Sequence, residues 1–312
     1  MLQGLAWLGR QGPRAIAAVV LLGVAAPPLG ALLRPFIAES IFALLCVAFL
    51  RLEGAALRSQ LRRPAAAAAA SAWTMIAIPL LFGAVCLGLG VDLRAPELHL
   101  ALMLQAAASP MMAAPAFATA MGLDATLVLV ALIASSALTP LTAPFFAAVF
   151  VGPELAVSPT ALALRLFAIL AGAAAVAAAL RRIVGADAIR RRKAELDGLN
   201  VALVFVFVCG LMKDVAANVA REPLLALGLL ALAFAVSFSV LGLTVLAMRW
   251  AGMERPFALG MMASQRNIGL MLAGTAGALP DFAWLYFSLC QIPIYLAPQL
   301  LQPLARRLRT RV

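Results

Sequence analysis

The chain has 312 residues, of which 65% are hydrophobic and 12% are charged, and its formal net charge at pH 7 is +11. So few charges cannot cover the surface of a soluble domain, and this composition therefore excludes a water-soluble globular protein. The apolar runs are about 20 residues long and continuous rather than alternating, which predicts membrane-spanning α-helices and argues against barrel strands.

We predict ten spans, at about 15–33, 35–50, 66–90, 99–121, 125–151, 157–180, 196–213, 223–247, 257–278 and 283–303. Pro27-Pro28 directly follows the small residues of the first apolar run, a poor context for signal-peptide cleavage, and we expect this span to be retained. The only histidine, His99, and the four cysteines show no metal-ligand spacing, so no metal site or disulfide framework is expected from them.

The basic residues orient these spans. They cluster in the segments 51–63, 181–193 and 306–311, whereas the predicted outside segments hold only Arg34, Arg94, Lys213 and Arg221. The positive-inside rule then predicts a multi-pass protein of a bacterial-type inner (plasma) membrane, with both termini cytoplasmic. The lipid bilayer is its expected partner, and no nucleic acid is expected because the basic clusters act as topology signals.

Two spans carry polar or helix-breaking residues at matching places. Pro110 in span 4 stands 14 residues before Asp124, and Asn267 in span 9 stands 14 residues before Asp281. Pro110 removes a backbone donor, and the side-chain amides of the span-9 segment can satisfy a broken backbone. We therefore predict that helices 4 and 9 are broken and that Pro110 and Asn267 are counterparts.

The breaks fit an inverted repeat. Five spans lie in residues 1–152 and five in residues 153–312, so that the two halves have opposite orientations. The predicted fold is an all-α integral membrane protein with ten transmembrane helices, a 5+5 inverted-topology repeat and crossing broken helices 4 and 9. In secondary transporters such interrupted segments form the binding site near the midplane.

The chain resembles the bile acid:sodium symporter family. The resemblance rests on the ten spans, the 5+5 repeat, "ASPMMAAPAFATAMGLDA" at 108–125 and "ASQRNIGL" at 263–270. It implies a panel-like bundle of spans 1, 2, 6 and 7 and a core-like bundle of spans 3–5 and 8–10. It also implies that a small organic anion binds in the cleft beside the crossing, and that sodium-coupled members hold two cations behind it.

The sequence departs from the sodium-site pattern of that family. Met262 stands where the family has an acid, Arg266 replaces the Gln before Asn267, and Pro110 replaces the Asn of the span-4 break. The expected substrate-binding residues are Asn267, Arg266, Ser109 and Pro110. The expected residues of a cation site, or of its remnant, are Gln265, Ser264, Ser135, Ser136 and Thr139. No cofactor is expected other than a sodium ion, whose binding a neighbouring arginine opposes.

Inserting an arginine at mid-membrane costs about 2.5–3.5 kcal/mol on insertion scales, so Arg266 is expected to have a function that offsets this cost. Three interpretations are open. The guanidinium takes the place of the second sodium ion, or it binds the substrate carboxylate, as arginine does in a bidentate manner, or it has no ligand. Of the other charges predicted within spans, Glu39 and Arg165 are expected to form an ion pair.

These features predict a secondary transporter that moves a small or amphipathic organic anion by alternating access, with Arg266 in place of a bound cation. Two alternatives stay open: a sodium-coupled organic anion symporter with one altered site, and a ligand sensor with a transporter fold. An enzyme is not expected, because no paired Asp motif, HExxH, GxSxG or Ser/His pair is present. The crossing also lacks the thiol or acid that an arsenite-type carrier would use.

Overall fold

The computed structural model describes residues 2–11, 13–51 and 64–309, and these form an all-helical protein. Within those ranges the only β-type pairing outside helices is one isolated bridge between Pro110 and Arg266. Arg58, Arg62, Arg63 and Arg311, which the topology prediction assigns to the cytoplasm, lie outside the described residues.

Eighteen α-helices follow one another along the described chain. They are α1 (Leu2–Gln11), α2 (Pro13–Ala25), α3 (Pro27–Leu33), α4 (Ile37–Leu50), α5 (Pro64–Ala72), α6 (Ile78–Gly88), α7 (Val91–Arg94), α8 (Pro96–Ala107), α9 (Ala114–Met121), α10 (Ala125–Phe146), α11 (Pro159–Val184), α12 (Ala186–Arg191), α13 (Lys193–Leu211), α14 (Val215–Arg221), α15 (Pro223–Ala247), α16 (Glu254–Ser264), α17 (Ile268–Gly274) and α18 (Asp281–Arg309). Two π-helical turns, Trp73–Ala77 after α5 and Ala147–Val151 after α10, continue their helices.

Six helical segments of the described chain are long and apolar enough to cross a membrane. They are Pro27–Leu50, Ala65–Gly88, Ala125–Glu154, Pro159–Val184, Lys193–Arg221 and Pro223–Ala247. A multi-pass membrane protein is therefore confirmed. Spans 4 and 9 fall outside this group because each is divided into two helices shorter than a bilayer is thick, and the total of ten stays a prediction.

The predicted bounds of spans 1 and 2 differ from the helices. The helical segment Pro27–Leu50 covers the end of predicted span 1 and all of predicted span 2, while α1 and α2 together lie along α13. A Cβ added to Gly198 of α13 would overlap the carbonyl oxygen of Leu5, so only glycine allows α1 to pack this closely. Pro27, the first residue of α3, has no N–H to donate and separates α3 from α2.

The helices can be named after the predicted panel-like and core-like bundles. We call α1–α4, α11 and α13 the first helix group, and α5, α6, α8–α10 and α15–α18 the second helix group. In the first group α13 packs on α1, α2 and α4, and in the second α15 packs on α16 and α18, whereas α17 of the second group packs mainly on α4 and α11 of the first. The two groups meet where α10 contacts α11, α17 contacts α4 and α11, and α18 contacts α2. Residues from both groups form the largest buried apolar cluster, including Leu45, Leu166, Met103 and Phe287.

The predicted ion pair between Glu39 and Arg165 is wrong. Both side chains are exposed, and no ion pair joins them. The ion pairs found among the described residues instead involve Arg34–Asp214, Lys213–Asp214, Arg51–Asp197 and Arg190–Asp187. Two opposite charges at similar depth in neighbouring helices do not form an ion pair unless both side chains point toward each other.

Candidate functional site

The two broken helices meet through their breaks. The first break separates α8 from α9 and the second separates α16 from α17. The Met111 N–H donates to the Gln265 carbonyl at 2.7 Å, and the Asn267 N–H donates to the Ser109 carbonyl at 2.8 Å. These two hydrogen bonds pair the extended segments in an antiparallel bridge, which we call the crossing bridge, and satisfy backbone groups that helix interruption leaves free.

The local sequence accounts for each break. Pro110 has no N–H and disfavours helical backbone at Ser109 before it, so α8 ends at Ala107. The second break contains no proline. There Asn267 is the N-cap of α17, and its Oδ1 accepts a hydrogen bond from the Leu270 N–H at 3.0 Å.

The crossing bridge brings the four predicted substrate residues together. Pro110 lies opposite Arg266, and Asn267 bonds to Ser109.

Arg266 is buried and its guanidinium faces backbone oxygens. Nη1 donates to the carbonyl of Ala108 at 2.9 Å and to that of Thr74 at 3.2 Å, and Nη2 donates to the Thr74 carbonyl at 3.2 Å. Its residue exposure is 3%. Within the described chain no carboxylate forms an ion pair with it, so its charge is stabilised by carbonyl dipoles alone.

The Thr74 carbonyl has no backbone N–H donor because of the residue types that follow it. In the π-helical turn the Ile78 N–H donates to Trp73, five residues before it. The donor in the same register for Thr74 would be Pro79, which has no N–H. Arg266 supplies the missing donors to this buried oxygen, which would otherwise cost about 1–3 kcal/mol.

The second partner, the Ala108 carbonyl, directly follows the C-terminus of half-helix α8. The C-terminus of a helix carries a partial negative charge, and its last carbonyls have no partner within the helix. In transporters with broken helices, such carbonyl ends bind the coupling cations. The guanidinium of Arg266 therefore lies where backbone oxygens favour a positive charge.

A small cavity of about 60 Å³ lies beside the crossing bridge, between the two helix groups. Asn267 lines it, and its Nδ2 forms no hydrogen bond that the structure describes. The other polar residues of its wall are Arg266, Asn200, Gln291 and Tyr295, and its apolar residues include Ile41, Leu45, Val204 and Phe207. Sequence reasoning did not identify Asn200, Gln291 or Tyr295 as cavity residues, since single polar residues in apolar helices form no motif.

A larger cavity of about 640 Å³ shares Met112, Ala113 and Asn200 with the small one. Basic residues line the end of this cavity farthest from the crossing: Arg51, Arg181, Arg190 and Lys193. Arg51 pairs with Asp197 at 3.0 Å. Burial lowers the pKa of the Arg51 guanidinium, while Asp197 partly opposes this shift.

The predicted cation-site residues divide into two kinds. The Thr139 hydroxyl donates to the Ser135 carbonyl at 2.9 Å, and the Ser264 hydroxyl donates to the Met261 carbonyl at 3.0 Å. In contrast, the side-chain polar atoms of Ser135, Ser136 and Gln265 are buried with no hydrogen-bond partner in the described chain, and so is the hydroxyl of the predicted substrate residue Ser109. Buried polar atoms normally have a partner, which a water or a cation can supply.

In the described chain no carboxylate forms a hydrogen bond or ion pair with these side chains. The described residues contain no group of three His, Cys, Asp or Glu side chains able to hold a metal ion, and Met262 is buried and apolar. Ser135, Ser136 and Thr139 belong to α10, which packs against both α9 and α16. A sodium ion here would have only neutral ligands and a guanidinium near the same bridge.

A scan against protein-family models finds no match, and a search of curated proteins finds no significant match.

Proposed function

We propose that the protein is a secondary transporter that moves a small or amphipathic organic anion across the inner membrane by alternating access. The observation that carries the proposal is the crossing bridge, in which two interrupted helices meet beside a cavity between two helix groups. Interrupting two helices at membrane depth leaves backbone groups that need partners. Secondary transporters contain such interruptions because the freed groups and the helix ends bind substrate and ions.

The two helix groups would be the moving parts. The first group corresponds to the panel-like bundle and the second to the core-like bundle, with the substrate between them at Asn267. The larger cavity contains basic residues at the end of α4 and the start of α13, the end that we assign to the cytoplasm. The conformation would then be open to the inside, with both termini on that side and the two halves of the chain related as inverted repeats.

We further propose that Arg266 replaces a coupling cation. Its donors bind the carbonyl that the π-helical turn in span 3 leaves free and the carbonyl at the break in span 4, as a bound ion would. Direct capture of a substrate carboxylate is the second interpretation, since Arg266 also lines the small cavity. We favour it less because the guanidinium donates its hydrogen bonds to Thr74 and Ala108. A sodium-coupled variant remains an alternative because of the unpartnered oxygens of Ser109, Ser135, Ser136 and Gln265.

Uptake into proteoliposomes tests this function. The purified chain is reconstituted, and the entry of labelled organic acids is measured with a sodium gradient and with potassium in its place. Equal, saturable uptake in both salts supports a carrier without sodium coupling, and uptake only with sodium supports the symporter alternative. Binding without uptake of any anion would contradict transport and favour a ligand sensor.

A further inference from the structure

Three side chains meet at the end of the helices opposite to the larger cavity. The Arg34 Nη1 donates to Asp214 Oδ2 at 2.8 Å, and the guanidinium carbon of Arg34 lies 4.9 Å from the ring centroid of Trp284. Arg34 precedes α4 and Asp214 follows α13, whereas Arg51 and Asp197 lie at the other ends of these two helices. We call Arg34, Asp214 and Trp284 the outer clasp.

The clasp joins the two helix groups. Arg34 and Asp214 belong to the first group, and Trp284 lies in the first turn of α18 in the second. A cation over the face of a tryptophan is attracted by the ring, and tryptophan is the strongest such partner. The contact between Arg34 and Trp284 therefore holds the two groups together at this end.

A second contact crosses the same boundary. The Ser288 hydroxyl, one turn after Trp284 on α18, donates to the carbonyl of Leu211 at 2.9 Å. Leu211 is the last residue of α13, so its carbonyl has no partner within the helix. The same hydroxyl also lies within 2.7 Å of the Trp284 carbonyl, so it can change partners within α18 when the two groups separate.

The first-group side of the clasp is tightly packed. A Cβ added to Gly30 of α3 would lie 2.6 Å from the carbonyl oxygen of Cys209, so α3 and α13 are in close contact just before Arg34. Arg34 and Asp214 would therefore move as one unit. Opening this end must break the contact of Arg34 with Trp284 and that of Ser288 with Leu211, but not the ion pair of Arg34 with Asp214.

We propose that the outer clasp, with the Ser288–Leu211 hydrogen bond, is the gate that holds the protein closed on the outer side and open toward the larger cavity. This inference rests on the proposed alternating-access function. The clasp biases a two-state equilibrium, because its contacts exist only when the outer ends of the two helix groups are together. Weakening it shifts the population toward the outward-open conformation.

Hydrogen–deuterium exchange of the full chain in lipid nanodiscs tests the gate without any substrate. Trp284→Leu keeps an apolar side chain but removes the ring face. We expect amide exchange in 28–36, 208–216 and 281–289 to rise by about threefold or more. Exchange in 112–119 and 125–133, along the larger cavity, should fall.

Two matched variants serve as controls. Trp250→Leu changes an exposed tryptophan between α15 and α16, and Arg94→Gln removes an exposed arginine outside the clasp. Both should leave exchange at the outer end unchanged. If Trp284→Leu yields no folded protein, Ser288→Ala provides the test, with a smaller change in the same direction.

Unchanged exchange at both ends in Trp284→Leu and Ser288→Ala would overturn the gate. Increased exchange at the outer end without a decrease along the larger cavity would also overturn it, since that pattern means local loosening rather than a shift between two conformations. Because no substrate is present, the opposed shift supports the gate whether or not an organic anion is transported. Uptake into proteoliposomes tests transport separately.

Discussion

Arg266 donates two hydrogen bonds to the carbonyl oxygen of Thr74, one from each terminal nitrogen. This oxygen lies in a π-helical turn and lacks a backbone donor because the residue five positions later is Pro79. A charged residue at a membrane-buried crossing thus has a structural partner in a different span. The relationship links the break in span 9 to the distortion in span 3.

Removing the guanidinium should destabilise the crossing bridge. Arg266→Gln leaves the Thr74 and Ala108 carbonyls without their donors, and each unsatisfied buried group costs about 1–3 kcal/mol. We expect a lower thermal unfolding midpoint in detergent and, because the positive charge is gone, a gain in stability on adding sodium that potassium does not give. Arg165→Gln, at an exposed arginine without an ion pair, is the matched control and should show neither effect. A variant as stable as the wild type in potassium would contradict the role assigned to Arg266.

Pro79 and Arg266 should be energetically coupled. Pro79→Ala restores an N–H that can donate to the Thr74 carbonyl. In that background Arg266→Gln should therefore lower the unfolding free energy by less. A double-mutant cycle of unfolding free energies should give a coupling of about 0.5–1.5 kcal/mol. Additive effects of the two substitutions would show that the proline is not the reason for the free carbonyl.

Asn267 should bind the substrate through its Nδ2. Asn267→Asp keeps an oxygen that caps α17 but replaces the free donor by a negative charge facing the small cavity. We expect thermal stability near that of the wild type and a loss of organic anion uptake of about tenfold or more. Asn267→Ser, which keeps the cap without adding charge, should lose less. Equal uptake by the wild type and Asn267→Asp would remove Asn267 from the substrate site.

Close packing of α1 on α13 should depend on glycine. Gly198→Ala would drive a Cβ into the Leu5 carbonyl, whereas a Cβ at Gly228 of α15 meets nothing within 4 Å. We expect Gly198→Ala to lower the unfolding free energy by about 1–3 kcal/mol, and Gly228→Ala to leave it unchanged or raise it slightly. Thermal unfolding of the two variants in the same detergent makes the comparison, and equal midpoints would contradict the packing of α1 along α13.

The main features of the crossing could be predicted from the sequence, and its partners could not. Pro110 and the polar segment Gln265–Asn267 signal broken helices because both interrupt apolar runs. The partner of Arg266 depends on Thr74 in span 3, more than 190 residues away in sequence. Pro79 was the available signal, since a proline within a span leaves a carbonyl of the preceding turn without its donor.

The rotation of each helix about its axis could not be predicted either. The predicted pair Glu39–Arg165 is wrong because hydropathy gives the depth of a residue but not the direction in which its side chain points. The residue-by-residue pairing in the crossing bridge is likewise set by backbone hydrogen bonds that the sequence does not encode.

Arg266 should replace the coupling cation of an organic anion carrier, and uptake into proteoliposomes tests this directly. Uptake by wild-type protein and by Arg266→Gln is measured with a sodium gradient and with potassium in its place. We expect equal wild-type uptake in both salts, and uptake that needs sodium in Arg266→Gln. Wild-type uptake that occurs only with a sodium gradient would show that Arg266 does not replace the ion.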